Sequence, residues 1–443
     1  MNSEQQYIEL YEQAREMICS HVPAAMNAQR DAAFERFRAK GFPSTKVERY
    51  KYTDMAKLFE PDYGLNLNRL EIPVDPYKAF RCDVPNLSTS LYFVVNDAFY
   101  GKSLPKSQLP DGVIIGSLAN HIDIARDYYN QLAGKDEAAV SDLNTMLAQD
   151  GLLVYVPRNT VVDRAIQIIN ILRSDVDLMV NRRVLIVLEE GAEVKLLFCD
   201  HAADDRRFLT TQVIEAFVGE NAHLDLYCLE ETHYKNVRVS NVYIDQQRDS
   251  RVNHNVITLH NGITRNKLDL TLSGDGAECG CYGCVIADKQ QHVDNNTLIT
   301  HRATHCTSNE LYKYVLDDEA VGAFAGRVLV EHGAQKTASQ MTNQNLTATR
   351  QARMYTQPML EIYADDVKCA HGSTVGQLND AALFYMRQRG ISLEEAKLLL
   401  QNAFINEVID KMQLVPLRDR LHHLVEKRFR GELNKCEGCK LCK

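Results

Sequence analysis

The chain has 443 residues, of which 45% are hydrophobic and 25% charged, and its formal net charge is −9. These values are ordinary for a soluble globular protein with a large core, and the acidic balance argues against a broad nucleic-acid surface. We see no basic, apolar leader and no uninterrupted apolar run of membrane-spanning length, so we expect a cytoplasmic protein without a membrane segment. In that compartment the twelve cysteines are expected as reduced thiols.

The first part of the chain, residues 1–150, is predicted to be mostly helical with a few strands. Apolar residues recur at helical spacing, and Gly41 and Pro43 end the second helix. Alternating apolar runs bounded by turn residues indicate the strands. We expect helices over 4–20, 24–40 and 122–149, and strands over 91–95 and 112–115.

From Leu152 onward the sequence changes to strand after strand, and long helical patterns are absent for more than two hundred residues. Turns of similar composition recur about 27 to 30 residues apart, at 190–193, 219–222, 247–250 and 274–277. A fixed period in this range indicates a repeat architecture. We therefore predict a β-solenoid over residues 151–374, with a large sandwich or propeller as the competing folds.

After Gly376 the pattern is helical again, and residues 375–443 are predicted to form a C-terminal helical domain. Asn379 or Asp380 can cap the first helix, Ser392-Leu-Glu-Glu395 is a capping box, and Pro416 opens a third helix. The domain carries more apolar surface than three short helices bury in one another. This surface either packs on the strand domain or docks another protein. The candidate residues are Phe384, Tyr385, Leu399, Leu400, Ala403 and Phe404.

Common catalytic signatures are missing from the sequence. We find no G-x-x-x-x-G-K-[ST] loop, so we expect no ATP site of the P-loop type in this chain. The H-E-x-x-H and G-x-S-x-G patterns are absent too, as is a G-x-G-x-x-G between a strand and a helix. The sequence thus favours a protein that is not an enzyme.

Two cysteine clusters have spacings that metal or iron–sulfur sites use. The first, Cys279-Gly-Cys281-Tyr-Gly-Cys284, is followed by His292, His301, His305 and Cys306. The second, Cys436, Cys439 and Cys442, resembles the first three ligands of a ferredoxin-type run without the fourth cysteine and the proline. Cysteines on strands can also simply pack in a core, so both interpretations stay open.

Cys369 and His371 form the third candidate metal site, in a stretch that begins as a strand at Leu360. Their i, i+2 spacing places both side chains on one face of an extended backbone, where they could bind one metal ion or face one partner.

Two rival functions follow from the residues alone. Asp365 and Asp366 could be the acid and base of a polysaccharide-acting β-helix enzyme. The lack of tryptophan for sugar stacking argues against this function. Adjacent residues of a strand also point to opposite faces, so Asp365 and Asp366 could not flank one bond. The other rival is a stand-alone metal-binding protein built on the cysteine clusters.

Four segments resemble the SufB/SufD family, which supplies subunits of the SUF iron–sulfur cluster assembly machine. They are Leu360–Leu378, Leu383–Ile391, Ala403–Ile409 and Lys46–Thr53, the last with Tyr50 where the family usually has tryptophan. The family's usual Cys-Ser-His-Gly-Ala-Thr reads Cys369-Ala-His-Gly-Ser-Thr374 here. The middle of the chain resembles the family only in its general pattern of strands and turns.

The resemblance implies a right-handed parallel β-helix between helical regions. It implies a complex with a SufB-like paralogue, paired through the β-helix, and with a SufC-like ATPase docked on the C-terminal helices. It also implies that His371, with Cys369 nearby, helps to assemble a transient iron–sulfur cluster shared with SufB. In this interpretation ATP hydrolysis by the partner moves the pair and exposes a buried His371 and Cys369. An isolated chain could form a homodimer through the same pairing surface.

Overall fold

The computed structural model describes residues 3–76, 90–102, 104–105, 108–136 and 138–432. Strands account for 40% of the chain and helices for 24%. The strands wind into a parallel β-solenoid of about 8 turns, with helical regions at both termini. The predicted β-helix between helical flanks is therefore confirmed. None of the helices in the described part of the chain has the length and apolarity needed to cross a bilayer.

The strands are numbered in chain order from β1 to β19. Their bounds are β1 Leu91–Val95, β2 Ala98–Phe99, β3 Ile114–Ser117, β4 Leu152–Val156, β5 Ile166–Leu172, β6 Leu178–Leu188, β7 Glu193–Ala202, β8 Phe208–Val218, β9 His223–Glu231, β10 Val237–Gln246, β11 Arg251–His260, β12 Ile263–Leu272, β13 Glu278–Ala287, β14 His292–His301, β15 Thr307–Leu316, β16 Val321–Val330, β17 Ala338–Thr347, β18 Arg353–Ile362 and β19 Lys368–Gly376.

From β4 onward, successive strands alternate between two sheets, so each coil contributes one strand to each. The odd sheet runs in the order β19-β17-β15-β13-β11-β9-β7-β5-β1-β2, and the even sheet runs β18-β16-β14-β12-β10-β8-β6-β4-β3. Ile263, His292 and Val321 are register partners in successive coils, so one coil here takes 29 residues. The N-terminal strands β1 and β3 also belong to these sheets, so the two sheets begin before residue 151.

The repeated turns found in the sequence stack on one another along the solenoid. Each contains one residue with a left-handed backbone, where glycine, asparagine and aspartate are favoured. Each of these residues donates its N–H to a carbonyl of the next coil's turn. Three further turns, which the sequence repeat missed, belong to the same row. The left-handed residues are Asn159, Gly191, Asn221, Asp249, Gly276, His305 and Lys336.

The interior of the solenoid is filled by the inward-facing side chains of both sheets. Along each strand these alternate with residues on the outer face, as the two-residue period of a strand requires. Leu224, Leu226 and Cys228 show the pattern on β9, and all three belong to one continuous apolar cluster. Toward the C-terminal coils, polar residues such as Glu310 interrupt this cluster.

The helices lie at the two ends of the chain. Their bounds are α1 Ser3–Cys19, α2 Ala24–Asn27, α3 Arg30–Lys40, α4 Met55–Leu58, α5 Ile122–Ala125, α6 Ala139–Leu147, α7 Asp380–Gln388, α8 Leu393–Ile409 and α9 Val415–Phe429, with short 3-10 turns at Glu48–Tyr50, Ala119–His121 and Ala133–Lys135.

The N-terminal helices pack on the outer face of the even sheet. Arg183 of β6 pairs with Glu215 of β8 at 2.6 Å, and both side chains are fully buried. Glu215 also accepts the backbone N–H groups of Asn130, Leu132 and Ala133. Because a buried charge is stable only with such partners, this pair fixes the segment before α6 on the solenoid.

A strap across the C-terminal coils is formed by residues 48–53, part of a segment that resembles the SufB/SufD family. Arg49 binds Asp269 at 2.6 Å, and Thr53 donates to Asp294 at 2.6 Å. Tyr52 stacks on Tyr355 of β18 with ring centroids 4.8 Å apart. The strap thus ties the N-terminal region to the last coil of the even sheet.

The C-terminal helices cover the outer face of the odd sheet. Arg428 of α9 donates to the Leu259 carbonyl at 2.6 Å and binds Asp288 at 2.7 Å. Leu414, just before α9, donates its N–H to the Tyr227 hydroxyl at 3.2 Å. One outer cluster combines residues of α8 and α9 with residues of the odd sheet from β1 and β5 to β15. In this chain the C-terminal helices are therefore part of the same folded body as the solenoid.

Candidate functional site

The last strand, β19, closes the odd sheet and presents three polar side chains at the open end of the solenoid. Cys369, His371 and Ser373 alternate along it, in register with Ser339, Met341 and Asn343 of β17. Cys369 packs against the interior cluster that also contains Met341. The i, i+2 pair predicted from the sequence therefore faces inward, at the end of the solenoid. We call this end the mouth.

The two candidate ligands differ in exposure. Cys369 is half-buried, and this burial raises the pKa of its thiol, while a backbone hydrogen bond with Ser339 opposes the rise. His371 is exposed in this chain. Among the described residues no further coil lies above β19, so the burial of His371 that we expect in a complex stays a prediction.

Hydroxyl and amide groups join the two sheets at the mouth. Thr356 of β18 and Ser373 of β19 are 2.6 Å apart, oxygen to oxygen, and Thr356 donates to the Asn343 amide oxygen at 2.8 Å. These bonds hold β18 and β19 together beside His371. The geometry of the mouth is therefore fixed although its ligands are accessible.

Both strands at the mouth have a free edge within the described residues. Strand β19 pairs only with β17, and β18 pairs only with β16. Each is nine or ten residues long, and side chains along both are exposed or half-buried. Long unpaired edges of this kind are surfaces that pair with another strand.

A thiol and an imidazole are ligands that suit iron, zinc and other transition metals. The described residues contain no group of three or more His, Cys, Asp or Glu placed to hold a metal ion. Cys369 and His371 thus form an incomplete ligand set. A metal ion bound there completes its coordination with water or with ligands from another molecule.

The cluster at Cys279, Cys281 and Cys284 does not converge, so its interpretation as a three-thiol metal site is wrong. Cys279 and Cys281 face the interior cluster, whereas Cys284 packs in the outer cluster against the C-terminal helices. The odd spacing between Cys281 and Cys284 places them on opposite faces of β13. All three are buried, free cysteines.

The residues predicted to complete that cluster are dispersed. His292 lies 3.0 Å from the Thr53 hydroxyl of the strap, and His301 is buried beside Ser308 at 2.8 Å. His305 is exposed in a turn, and Cys306 is buried in the interior cluster. The other predicted cluster, Cys436, Cys439 and Cys442, lies outside the described residues.

Asp365 and Asp366 lie in the turn between β18 and β19 rather than on a strand. Asp366 forms an ion pair with Lys336, and its N–H donates to Gln335 at 2.9 Å. This supports a structural role for Asp366, and nothing in the turn favours a polysaccharide-acting enzyme.

The predicted docking residues fall into two groups. Phe384 and Tyr385 on α7 are 63% and 56% exposed, Leu399 on α8 is 41% exposed, and Ala403 is also exposed. Leu400 is half-buried. These side chains are available for a partner.

Phe404 belongs to the second group, because its ring lies 4.4 Å from the Lys313 ammonium of β15 and packs against the outer cluster. The buried residues of α8 are Ala396, Leu398, Ile405, Val408 and Ile409. Two faces of α8 are similarly apolar in the sequence, so helical spacing alone could not show which of them is buried.

Two polar residues of the interior, His254 and Glu310, were not identified from the sequence. Both are fully buried on the inward faces of β11 and β15. His254 is the register partner of the inward-facing Cys281, and Glu310 lies two residues before the inward-facing Tyr312. With the register known, strand alternation would have placed both residues inside.

The structure is that of a parallel β-solenoid protein flanked by helices, with a cysteine and a histidine at the open end. Two family models match the chain. The SUF system FeS cluster assembly SufBD core domain matches residues 171–404, and the SufBD protein N-terminal region matches residues 1–168. The chain belongs to the SufBD family of SUF iron–sulfur cluster assembly proteins.

Curated relatives agree with this assignment. A SufBD family iron–sulfur cluster assembly protein of Synechocystis is 28% identical over 90% of both chains. The iron–sulfur cluster assembly protein SufD of Bacillus subtilis is 26% identical, over 87% of this chain and 89% of its own. SufD of Escherichia coli is 30% identical over 55% of this chain and 58% of its own. Family membership supports a role in iron–sulfur cluster assembly.

Proposed function

We propose that this chain is a SufD-type scaffold subunit of an iron–sulfur cluster assembly complex. It pairs with a SufB-like paralogue, docks a SufC-like ATPase and is not itself an enzyme. Iron and sulfide are its cargo, held transiently by Cys369 and His371 together with residues of the paralogue. The observation that carries the proposal is the position of these two side chains at the mouth, beside two unpaired strand edges.

The incomplete ligand set supports a shared site. Cys369 and His371 supply two ligands, and the described residues offer no third one beside them. A paralogue that pairs with β18 and β19 would bring its own side chains to the mouth and bury the exposed His371. The cluster is then assembled between two chains, neither of which holds it alone.

The C-terminal helices support the docking of an ATPase. Phe384, Tyr385 and Leu399 expose apolar surface away from the outer cluster. The Lys313–Glu407 ion pair connects α8 to β15, two strands below β19 in the odd sheet. A partner that moves α8 would thus act on the coils just below the mouth.

Co-expression of the chain with a SufB-like paralogue and a SufC-like ATPase in the cytoplasm of a bacterial host tests the proposal. Native mass spectrometry should find one complex that contains all three chains. For the chain alone, the same free edges predict a homodimer. A chain that stays monomeric and binds neither partner would contradict the proposed function.

A further inference from the structure

A row of inward-facing side chains leads from the middle of the solenoid to the mouth. His254, Cys281, Glu310, Met341 and His371 are register partners on β11, β13, β15, β17 and β19. Adjacent strands of a sheet are about 4.8 Å apart. Glu310 therefore lies two strands, or about 10 Å, below His371.

Glu310 is 1% exposed, and neither of its carboxylate oxygens has a hydrogen-bond partner among the described residues. Both ring nitrogens of His254, deeper in the same row, are also buried and without a partner there. Buried polar atoms are rarely left in this state, and an unpaired carboxylate charge is far less stable there than the neutral acid. Burial raises the pKa of Glu310 to about 7.

The groups that face Glu310 do not provide a positive charge. On its own strand and on β13 they are Ser308, Tyr312 and Cys281. Burial raises the pKa of Tyr312 well above its usual value, and the hydrogen bond with Cys279 together with burial does the same for Cys281. Across the interior, the nearby Thr297 hydroxyl opposes the rise in the pKa of Glu310. Its position relative to the carboxylate is not that of a regular hydrogen bond. The inward side chains nearest to Glu310 are Ser308 and Tyr312 on its own strand, Cys281 and Met341 on the adjacent strands, and Thr297 across the interior.

Hydroxyl groups on the same inner face connect this region to the mouth. Ser308, two residues before Glu310, lies 2.8 Å from Ser339, oxygen to oxygen. Ser339 is in turn the register partner of Cys369. Ser308 also lies 2.8 Å from the His301 ring, so polar side chains line the inner face between the level of Glu310 and the thiol at the mouth.

We propose that Glu310 is a proton-exchanging group coupled to cation binding at Cys369 and His371. When a divalent cation binds there, the Glu310 carboxyl releases one proton to solvent through the mouth. The new carboxylate charge offsets the charge of the cation. At an effective dielectric constant of about 20, a divalent ion about 10 Å away weakens the proton affinity of a carboxyl group by on the order of a hundredfold.

The coupling rests on the proposed metal role of the mouth, so Co²⁺ is used as the probe on the full-length chain alone. Calorimetric titration in buffers of different ionisation enthalpy counts the protons released per Co²⁺ at pH 6.5. Wild type should release about one proton more than Glu310→Gln, whereas the exposed control Glu319→Gln should match wild type. Equal proton release from wild type and Glu310→Gln overturns the coupling. A cobalt spectrum unchanged by Cys369→Ala also overturns it, because the cation then lies elsewhere.

A second measurement requires no metal and no partner. In infrared spectra of the chain alone, the carboxyl band of protonated Glu310 should disappear as the pH rises through neutrality. The band should be absent from Glu310→Gln and present in Glu319→Gln. Identical spectra for wild type and Glu310→Gln overturn the assignment of the buried proton. This result is separate from the proposed function, which fails instead if loss of His371 leaves cluster assembly intact.

Discussion

Lys313 and Glu407 form an ion pair that joins the solenoid to the C-terminal helices. The Lys313 side chain is 3% exposed and its ammonium lies over the Phe404 ring, whereas the Glu407 side chain is 57% exposed. Lys313 lies on β15, the strand that carries Glu310 on its inner face. Strand β15 is thus held on its outer face by α8. Its inner face carries Glu310, a member of the row that leads to the mouth.

Glu407→Gln should therefore destabilise the chain. The substitution leaves a buried ammonium without its counter-charge, and solvent around Glu407 reduces the loss to about 1–2 kcal/mol. Urea unfolding measures this loss as a lower midpoint. Glu12→Gln, at an exposed position of α1, is the control. Equal midpoints for Glu407→Gln and the control would contradict the anchoring role of the pair.

The free edge of β19 can be tested with a proline. Lys368 donates its N–H to the carbonyl of Thr337, the residue just before β17, so in a parallel ladder the N–H of Val375 points away from β17. Val375→Pro removes a donor at the free edge while leaving the β17 ladder intact. Binding to the SufB-like paralogue should weaken at least tenfold, whereas Val375→Ala should bind like wild type. Undiminished binding of the proline variant would place the interface elsewhere.

The docking surface on the C-terminal helices makes a separate prediction. Phe384→Asp and Leu399→Asp place charges on exposed apolar positions, so the double variant should fold and lose pull-down of the SufC-like ATPase. Lys397→Glu changes the charge of α8 at a neighbouring exposed position and should retain binding. Retention of the ATPase by the double variant would show that another surface docks it.

Glu310 should make the stability of the chain depend on pH. Because its folded pKa is about 7 and its ordinary value is 4.5, the folded state binds this proton more tightly than the unfolded state. The resulting stabilisation is complete below pH 4.5 and is lost as the pH rises to 7. Relative to wild type, Glu310→Gln should gain about 3 kcal/mol in unfolding free energy between pH 4 and pH 8.

Urea unfolding at several pH values measures that gain. The control Glu319→Gln should follow wild type at every pH. A constant difference between Glu310→Gln and wild type from pH 4 to pH 8 would show that Glu310 titrates normally.

Local sequence patterns predicted much of the architecture. The turns around Gly191, Asn221, Asp249 and Gly276 share residues that tolerate a left-handed backbone, so their period could be read directly. The next two turns use His305 and Lys336 for the same conformation, and no composition signal marks them. The repeat was therefore seen only in part.

Residue contacts between distant strands could not be predicted in the same way. Spacing placed Cys369 and His371 on one face, but only the register shows that this face is inward and lies at an open end. The interior position of Glu310 depends on pairing with Met341, 31 residues later. Likewise, the choice between Leu399 and Leu398 as the buried residue of α8 depends on where the helix meets the odd sheet.

The central claim is that His371 takes part in cluster assembly at the mouth. The direct measurement is iron–sulfur cluster build-up, followed by visible absorption and by iron and sulfide analysis, in a reconstituted complex with the SufB-like paralogue and the SufC-like ATPase. His371→Ala should abolish most of the build-up while native mass spectrometry finds the complex intact. His332→Ala, at an exposed histidine outside the mouth, should assemble clusters like wild type. Unchanged build-up in an intact His371→Ala complex would contradict the account.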